Sequence, residues 1–309
     1  MAINRRVIVT KKAFNRRGIT TDRIIFNFFG YILLAFVTVI CILPFYLIII
    51  GSFTAESEII RNGFSLGIKQ FSVEGYALCL KNPISIAIAY RNTIFVTVVG
   101  TVASLFMATM TGYVLQRKDF PWRNYFSFFF FFTMLFSGGL VPWYILCVRY
   151  LGFKNQTYAL ILPLIFSVWN MIISKTFMQS IPIAITESAK IDGANDFLIY
   201  IRLILPLSIP LIATIGLFSA LTYWNDWYNA MLFIDNEKMF TLQYYLQRLL
   251  GSAEALRRIA EESGIDVPQV PMESMKMAMT VIVTGPIILL YPLLQRYFVK
   301  GLTVGAVKG

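Results

Sequence analysis

The chain has 309 residues, of which 57% are hydrophobic and 14% charged, and its net charge is +11 with a mean hydropathy of +0.68. These values exclude an ordinary soluble globular protein, in which about 25% of residues are charged. The sequence has no His, and its three cysteines (Cys41, Cys79 and Cys147) show no paired or ligand-like spacing, so it predicts neither a disulfide framework nor a metal site.

Long runs without charged residues divide the chain. Each run is near or above the roughly 20 residues that a helix needs to cross a bilayer. The alternating ten-residue segments of a membrane barrel are absent. The sequence therefore predicts an all-α polytopic membrane protein with six transmembrane helices, in the runs 24–55, 92–116, 124–148, 155–174, 203–225 and 277–295.

The basic residues predict the orientation, because cytoplasmic segments of membrane proteins carry an excess of Lys and Arg. With both termini cytoplasmic, basic residues outnumber acidic ones by 16 to 5 in the inner segments 1–23, 117–123, 175–202 and 296–308. We expect a basic cytoplasmic N-terminus (1–23), a membrane domain (24–298) and a cytoplasmic tail (299–309). The N-terminus is predicted to anchor at lipid headgroups rather than to bind nucleic acid or to be a cleaved signal.

The first three spans contain small residues and helix breakers. Pro44 predicts a kink in the first span. Gly138, Gly139 and Pro142 predict a break near the outer end of the third. The second span carries small residues four apart, which favour close helix packing, with a pore-lining face as the alternative: Gly100, Ser104, Ala108 and Gly112.

A polar insert, residues 180–206, separates the fourth span from the fifth. Pro182 suits the first position of a helix, and Gly193 can end that helix in the left-handed conformation. A second helix is predicted to begin near Asn195 or Asp196. The insert therefore reads as a short helix, a turn and another helix on the cytoplasmic side.

The first helix of this insert has a small, apolar face. Ala184, Ser188 and Ile191 fall at positions i, i+4 and i+7, so they line one side of the helix. Glu187 and Lys190 are spaced to form an ion pair on a neighbouring face. A cytoplasmic helix of this kind is suited to contact a partner protein.

An aromatic cluster lies at the outer end of the fifth span: Tyr223, Trp224, Asn225, Trp227 and Tyr228. One interpretation is an interfacial aromatic belt. The other is a sugar-contacting surface, because sugars present both C–H faces and hydroxyl groups. The external loop that follows (229–275) is predicted to contain an amphipathic helix over 242–250 and 254–262, which would cover the pore or dock an external binding protein.

The insert carries a resemblance to a known family. Glu187-Ser188-Ala189-x3-Gly193-x9-Leu203-x-Leu205-Pro206 resembles the EAA loop of binding-protein-dependent ABC importer permeases, with Ser188 for Ala and Leu203 for Ile as its only departures. The resemblance extends to Trp224-Asn225 and to residues 296–309. Together these resemble the second, maltose-type permease subunit of carbohydrate ABC importers. Segments 136–140 and 194–196 are most similar to the subgroup for complex plant or uronic-acid oligosaccharides.

This resemblance implies a type I ABC importer permease fold in a bacterial plasma membrane. It implies a second six-helix permease, two ATPase subunits and an extracytoplasmic sugar-binding protein as partners, with ATP and Mg²⁺ bound by the ATPase. In the family, sugar contacts are often made mainly by the other permease. The residues that it assigns to ATPase coupling are Glu187, Ser188, Ala189, Asp192, Gly193, Ala194, Leu205 and Pro206.

The sequence lacks the motifs for ATP binding and nucleophilic catalysis and the intramembrane carboxylate of ion-driven carriers. There is no Gly-x4-Gly-Lys-Ser/Thr motif to cradle ATP phosphates and no nucleophile–base pair, so we predict that the chain binds no cofactor and is not an enzyme. No carboxylate lies within a predicted span, although ion-driven carriers usually have one. Energy is therefore expected from a partner. An ABC permease for a non-sugar solute and a passive channel remain as alternatives.

Overall fold

The computed structural model describes residues 21–263 and 271–288, which divide into two units that meet between Leu47 and Ile48. Helix α1 (Thr21–Ser52) provides the described residues of the first unit up to Leu47, and its last five residues belong to the second. Pro44 lies inside this helix without ending it. The predicted basic N-terminus up to residue 20 and the C-terminal segment from residue 289, with Pro292 and the predicted tail, lie outside the described residues.

The second unit is also built from helices. Its described residues contain one isolated antiparallel bridge, between Thr54 and Phe71. In chain order, its elements are α2 (Glu56–Asn62), α3 (Glu74–Cys79), α4 (Pro83–Gln116), α5 (Arg123–Leu135), α6 (Leu140–Ile145) with a π turn (Leu146–Tyr150), two 3-10 turns (Thr157–Leu160 and Leu162–Leu164), α7 (Val168–Met178), α8 (Ile183–Ile191), α9 (Asp196–Ile199) with a π turn (Tyr200–Ile204), α10 (Leu205–Leu207), α11 (Ile209–Trp224), α12 (Tyr228–Phe233), a 3-10 turn (Glu237–Met239), α13 (Leu242–Ser263) and α14 (272–288).

Two of the described helices are long and apolar enough to cross a membrane unbroken, Phe26–Ser52 and Pro83–Gln116. Three further candidates are bent pairs, with angles of 112° between Arg123–Leu135 and Leu140–Tyr150, 49° between Thr157–Leu164 and Val168–Met178, and 85° between Asp196–Leu207 and Ile209–Trp224. The sequence analysis predicted a break in the third candidate span but not the bends in the fourth and fifth, because a charge-free run says nothing about whether its helix is interrupted.

The breaks occur at residues that do not favour a continuing helix. Gly139 has a φ of +86°, a conformation that a residue with a Cβ avoids, and it directly precedes α6. This confirms the predicted break in the third candidate span. Pro163 lies in the irregular part of the fourth, and Pro210 lies in the first turn of α11, just after the 85° bend.

The small residues of α4 form a packing face, as predicted. Gly100, Ser104, Ala108 and Gly112 are all buried. A Cβ on Gly100 would lie 2.4 Å from Cζ of Tyr223 on α11, and a Cβ on Gly112 would lie 2.5 Å from Cβ of Ser174 on α7. Glycine at both positions therefore lets α4 approach its two neighbours closely.

The N-terminal part of α4 is hydrogen-bonded to the loop after α12. The Asn92 side-chain amide donates hydrogen bonds to the backbone carbonyls of Lys238 (2.9 Å) and Phe240 (3.1 Å). The backbone N–H of Leu242 donates to Oγ1 of Thr93 at 2.7 Å. The start of α13 is thus fixed by side chains of α4.

The two segments predicted to be external pack against α14. The Glu56 carboxylate accepts hydrogen bonds from the backbone N–H groups of Glu273 and Ser274, each at 2.9 Å, and so caps the start of α14. The predicted amphipathic helix is confirmed as α13, in which Leu242 and Leu246 are buried whereas Gln247 and Arg248 are exposed. Pro271 directly precedes α14, whereas Pro268 lies outside the described residues.

Candidate functional site

The polar insert folds as the sequence predicts. Helix α8 begins directly after Pro182 and ends before Gly193, whose φ of +80° is left-handed. The backbone N–H of Ala194 donates to the carbonyl of Ala189 at 3.0 Å, which closes the helix end. Helix α9 follows at once, capped by Oδ1 of Asn195, which accepts from the N–H of Leu198 at 2.8 Å. Pro182, Gly193 and Asn195 therefore define a tight helix–turn–helix.

Helix α8 presents three different faces. Ala184, Ser188 and Ile191 are exposed, and Ile191 is 87% exposed. Ala189 points the other way and is buried. The third face lines a cavity through Ile183, Thr186, Glu187 and Lys190. The predicted contact face is thus exposed in this chain, whereas the opposite face of α8 packs against the core through Ala189.

The predicted pair between Glu187 and Lys190 is wrong. The Lys190 ammonium instead lies 3.1 Å from Oδ2 of Asp119 and 3.6 Å from Oδ1 of Asp196. Glu187 has no ion pair among the described residues. Asp119, in the turn between α4 and α5, lies close to Lys190 in space. The spacing of residues along α8 does not reveal such a contact.

Arg117, at the end of α4, completes this group. Its Nη1 lies 2.5 Å from Oδ1 of Asp196, and its Nε donates to Oδ1 of Asp119 at 2.8 Å. The Arg117 guanidinium holds the pKa of Asp119 well below its usual range. We call Arg117, Asp119, Lys190 and Asp196 the charge cluster. It ties α8 and α9 to the end of α4, and the sequence analysis missed it.

A chain of side chains leads from the charge cluster along α4. The Arg117 guanidinium lies 5.7 Å from the centre of the Tyr113 ring, a cation–π distance. The Tyr113 ring stacks on Tyr200 with a centroid separation of 5.5 Å, and the Tyr200 hydroxyl lies 2.8 Å from Oγ1 of Thr109. Tyr200 belongs to the π turn after α9, so the insert contacts α4 through both charged and aromatic groups.

The other predicted coupling residues surround this arrangement. Asp192 ends α8 and is exposed, as is Gly193. Ala194 and Leu205 are partly buried, and both pack against the core formed by α8, α9 and α11. Pro206 lies in the short helix α10 and is exposed.

The structure does not bring the aromatic cluster to one surface. Tyr223 is 1% exposed and its hydroxyl donates to the carbonyl of Ile161 at 2.9 Å. Trp224 is 6% exposed, and its Nε1 donates to the carbonyl of Val283 at 3.1 Å. The other three members of the cluster lie at the surface: Asn225, Trp227 and Tyr228.

A cavity of about 440 Å³ lies between α7 and α11. Tyr223 lines it together with Trp169, which is 57% exposed, and Thr222. On its buried side, the Asn170 amide donates to Oγ of Ser219 at 3.3 Å. The cavity combines aromatic rings with amide and hydroxyl groups, a mixture that suits a sugar. The sequence analysis did not identify Trp169 and Asn170 as site residues.

Known transporters resemble this chain along nearly its whole length. It is 38% identical over 288 residues, 92% of this chain and 99% of the relative, to the polygalacturonan/rhamnogalacturonan transport system permease protein YtcP of Bacillus subtilis. It is 38% identical over 285 residues to protein LplC of the same organism, covering 92% and 95% of the two chains. To the arabinooligosaccharides transport system permease protein AraQ of Halalkalibacterium halodurans it is 28% identical over 284 residues, covering 89% and 94%. No protein-family model matches the chain.

The fold is also similar to that of a solved transporter. The crystal structure of a bacterial ABC transporter involved in the import of the acidic polysaccharide alginate contains a chain with a TM-score of 0.74 and 27% identity, covering 90% of this chain and 98% of that one. These similarities confirm the predicted importer subunit over a passive channel. The chain therefore belongs to the carbohydrate ABC transporter permeases, non-catalytic multi-pass subunits of importers in the bacterial inner membrane.

Proposed function

We propose that α8 is the helix through which this permease receives energy from a cytoplasmic ATPase. In this proposal six spans cross the membrane, both termini are cytoplasmic, and the 180–206 loop faces the ATPase. The observation that carries the proposal is the exposed face Ala184, Ser188 and Ile191 on a helix whose position is fixed by the buried Ala189 and by the ion pairs of Lys190. A small, apolar face on a fixed helix is well suited to enter a groove of a partner.

The proposed complex contains this chain, a second six-helix permease, two ATPase subunits and an extracytoplasmic sugar-binding protein. The ATPase subunits bind ATP and Mg²⁺ and move α8 as they close. Ser188 faces the ATPase, Glu187 borders this docking face on the cavity side, and Asp192 and Gly193 shape the docking turn. Ala189, Ala194, Leu205 and Pro206 hold the loop against the membrane helices. The charge cluster then transmits the movement of α8 to α4.

We infer that the transported substrate is an oligosaccharide that contains uronic-acid units. Two of the similar transporters support this class, since YtcP is described as a polygalacturonan/rhamnogalacturonan permease and the solved transporter imports the acidic polysaccharide alginate. The proposed path passes the cavity between α7 and α11, where Tyr223 and Trp169 offer aromatic faces. Trp224 supports this path from the core, and Asn225, Trp227 and Tyr228 lie at its outer mouth. The external loop 229–275 covers that mouth.

The docking proposal is tested by co-purifying the ATPase with a tagged form of this chain from native membranes. Ser188→Trp places a large ring on the exposed face of α8, so we expect the ATPase to be lost while the second permease remains. Gly193→Trp should have the same effect for a different reason. No atom lies within 4 Å of the added Cβ, so there is no steric clash, but the left-handed φ of residue 193 disfavours any side chain and should distort the docking turn.

The matched control is Ser252→Trp, which adds the same ring to an exposed position on α13. This control should recover the ATPase in full. Normal recovery of the ATPase with Ser188→Trp, together with normal uptake, would contradict the assignment of α8 as the docking helix.

The substrate proposal has a separate test. Uronic-acid oligosaccharides and neutral oligosaccharides of matched length are compared for binding-protein-dependent uptake into vesicles that contain the complex. We expect uptake of the acidic set, and Trp169→Ala to reduce it more than Trp122→Ala, an exposed tryptophan outside the cavity. Equal uptake of both sugar sets would contradict the inference.

A further inference from the structure

A cavity of about 970 Å³ lies beside α8. Its walls come from the turn between α4 and α5, the end of α7 and one face of α8. Thr186 and Glu187 line it on the α8 side, and Arg123 and Lys175 line it on the membrane-helix side. This face of α8 differs from the exposed face that we assign to the ATPase, so the cavity is a separate feature of the loop.

The cavity has an excess of positive charge. Of the cations that line it, Arg117 and Lys190 are neutralised by Asp119 and Asp196 within the charge cluster. The remaining lining cations have no carboxylate partner among the described residues: Lys118, Arg123 and Lys175. They face a single unpaired carboxylate in the lining, that of Glu187. An excess of positive charge therefore remains after every internal pair is formed.

Two of these cations have unused hydrogen-bond donors. The Lys175 ammonium donates to Oγ of Ser127 at 2.9 Å, which uses one of its three donors. Arg123 Nη1 lies 3.5 Å from the backbone carbonyl of Arg117, which leaves most of its five donors free. Both side chains are half-buried. A guanidinium and an ammonium that share a cavity match the several acceptor oxygens of a phosphate group.

The position of these residues along their helices points to the membrane surface. Arg123 is the first residue of α5, and Lys175 lies in the last turn of α7. Both helices belong to candidate membrane spans, so their charged ends lie at headgroup level. In the orientation proposed above this is the cytoplasmic leaflet. Basic pockets between membrane helices on that side bind phosphate-bearing headgroups.

We propose that this cavity is a phosphate-binding site that holds the headgroup of an anionic phospholipid, or free phosphate, through Arg123 and Lys175. Lys118 adds positive charge at its rim. Thr186 of α8 lines the same cavity, so a phosphate bound there lies close to the docking surface. The site would therefore link the composition of the leaflet to the position of α8. Its assignment to the cytoplasmic leaflet rests on the proposed orientation.

The test is native mass spectrometry of the purified importer, titrated with phosphatidylglycerol or with phosphatidylcholine. We expect the wild type to retain phosphatidylglycerol more strongly. Arg123→Gln and Lys175→Gln should each weaken this binding by about fivefold, the effect of one surface cation on an anionic lipid. The matched control is Arg202→Gln, an exposed arginine of the same loop that does not line the cavity, and it should leave binding unchanged.

A second arm separates the two sources of the phosphate. In this arm inorganic phosphate replaces the lipid: stronger phosphate retention by the wild type than by Lys175→Gln, with equal phosphatidylglycerol binding, assigns the site to free phosphate, whereas a difference in phosphatidylglycerol binding assigns it to the lipid headgroup. Phosphatidylglycerol binding that is the same in the wild type and both cavity variants, with phosphate retention also the same, would overturn the proposal. Recovery of the ATPase in the cavity variants is measured in parallel, so a failure of α8 docking is seen independently.

Discussion

The contact between Gly112 and α7 allows a quantitative prediction for Gly112→Ala. A Cβ at this position would lie 2.5 Å from Cβ of Ser174 and 2.8 Å from the backbone nitrogen of Lys175. Carbon atoms in favourable contact are about 3.5–4.0 Å apart, so α4 and α7 must separate by about 1 Å. The Lys175 nitrogen belongs to the backbone of α7 and cannot move aside as a side chain can.

The expected cost follows from two opposing effects. Overpacking of this kind costs about 1–3 kcal/mol. Replacing glycine by alanine within a helix returns about 1 kcal/mol. Because the obstruction is backbone, we expect the upper part of the range and a net destabilisation of about 1–2 kcal/mol. The matched control is Gly216→Ala on α11, where the nearest atom is the flexible Cδ1 of Leu105 at 3.5 Å, so the helix gain should remain.

The assay is thermal unfolding of the purified complex, followed by the loss of its size-exclusion peak. Gly112→Ala should unfold at a lower temperature than the wild type, and Gly216→Ala at the same or a higher one. Adding Ser174→Gly to Gly112→Ala should recover part of the loss, because it removes one of the two obstructing atoms. Equal unfolding temperatures for Gly112→Ala and Gly216→Ala would refute the close packing of α4 on α7.

Three further predictions concern the charge cluster and the core. Arg117→Ala should lower uptake several-fold while ATP hydrolysis continues, because α8 loses its link to α4. Lys118→Ala, which changes the neighbouring unpaired cation, should leave uptake unchanged. An equal loss of uptake in the two variants would contradict the link between α8 and α4. Arg117 lowers the pKa of Asp119 in the folded protein. The ionised Asp119 carboxylate therefore stabilises the loop at any pH above the pKa of about 4 that aspartate has in the unfolded chain. This stabilisation is lost as the pH falls through the lower pKa of the folded state. Hydrogen exchange of residues 183–196 should accordingly show an additional acceleration in acid that Asp119→Asn lacks. Trp224→Phe removes a buried hydrogen bond to the carbonyl of Val283 and should cost about 1 kcal/mol in thermal unfolding, whereas Trp227→Phe, at the surface, should cost nothing measurable.

Local features of the loop could be predicted from the sequence because they depend on neighbouring residues. Pro182, Gly193 and Asn195 act on their own backbone, and the structure places the boundaries of α8 and α9 at these residues within one position. The break at Gly139 and the packing ridge of α4 have the same local origin. Residue type and spacing were sufficient in each case.

Contacts between distant segments could not be predicted in this way. Lys190 and Asp119 are 71 residues apart, and nothing in the spacing of α8 shows that the turn after α4 will reach it. Tyr223 and Trp224 belong to an aromatic run that reads as a surface belt, yet their polar atoms are bound to carbonyls of Ile161 and Val283 in the interior. The choice between these partners is made by packing. The bends of the fourth and fifth candidate spans were missed for a related reason, because hydropathy measures composition rather than helix continuity.

Helix α4 joins two parts of the protein that are far apart. Its 34 residues correspond to about 51 Å, and helices of this length bend only gently. In its N-terminal part Asn92 binds the loop before α13, and at its C-terminal end Arg117 binds α8 and α9. A rod held at both ends cannot tilt at one end alone. A displacement of the Arg117 end is therefore expected to shift the segment before α13 as well, which would link the proposed cytoplasmic loop mechanically to the proposed external loop.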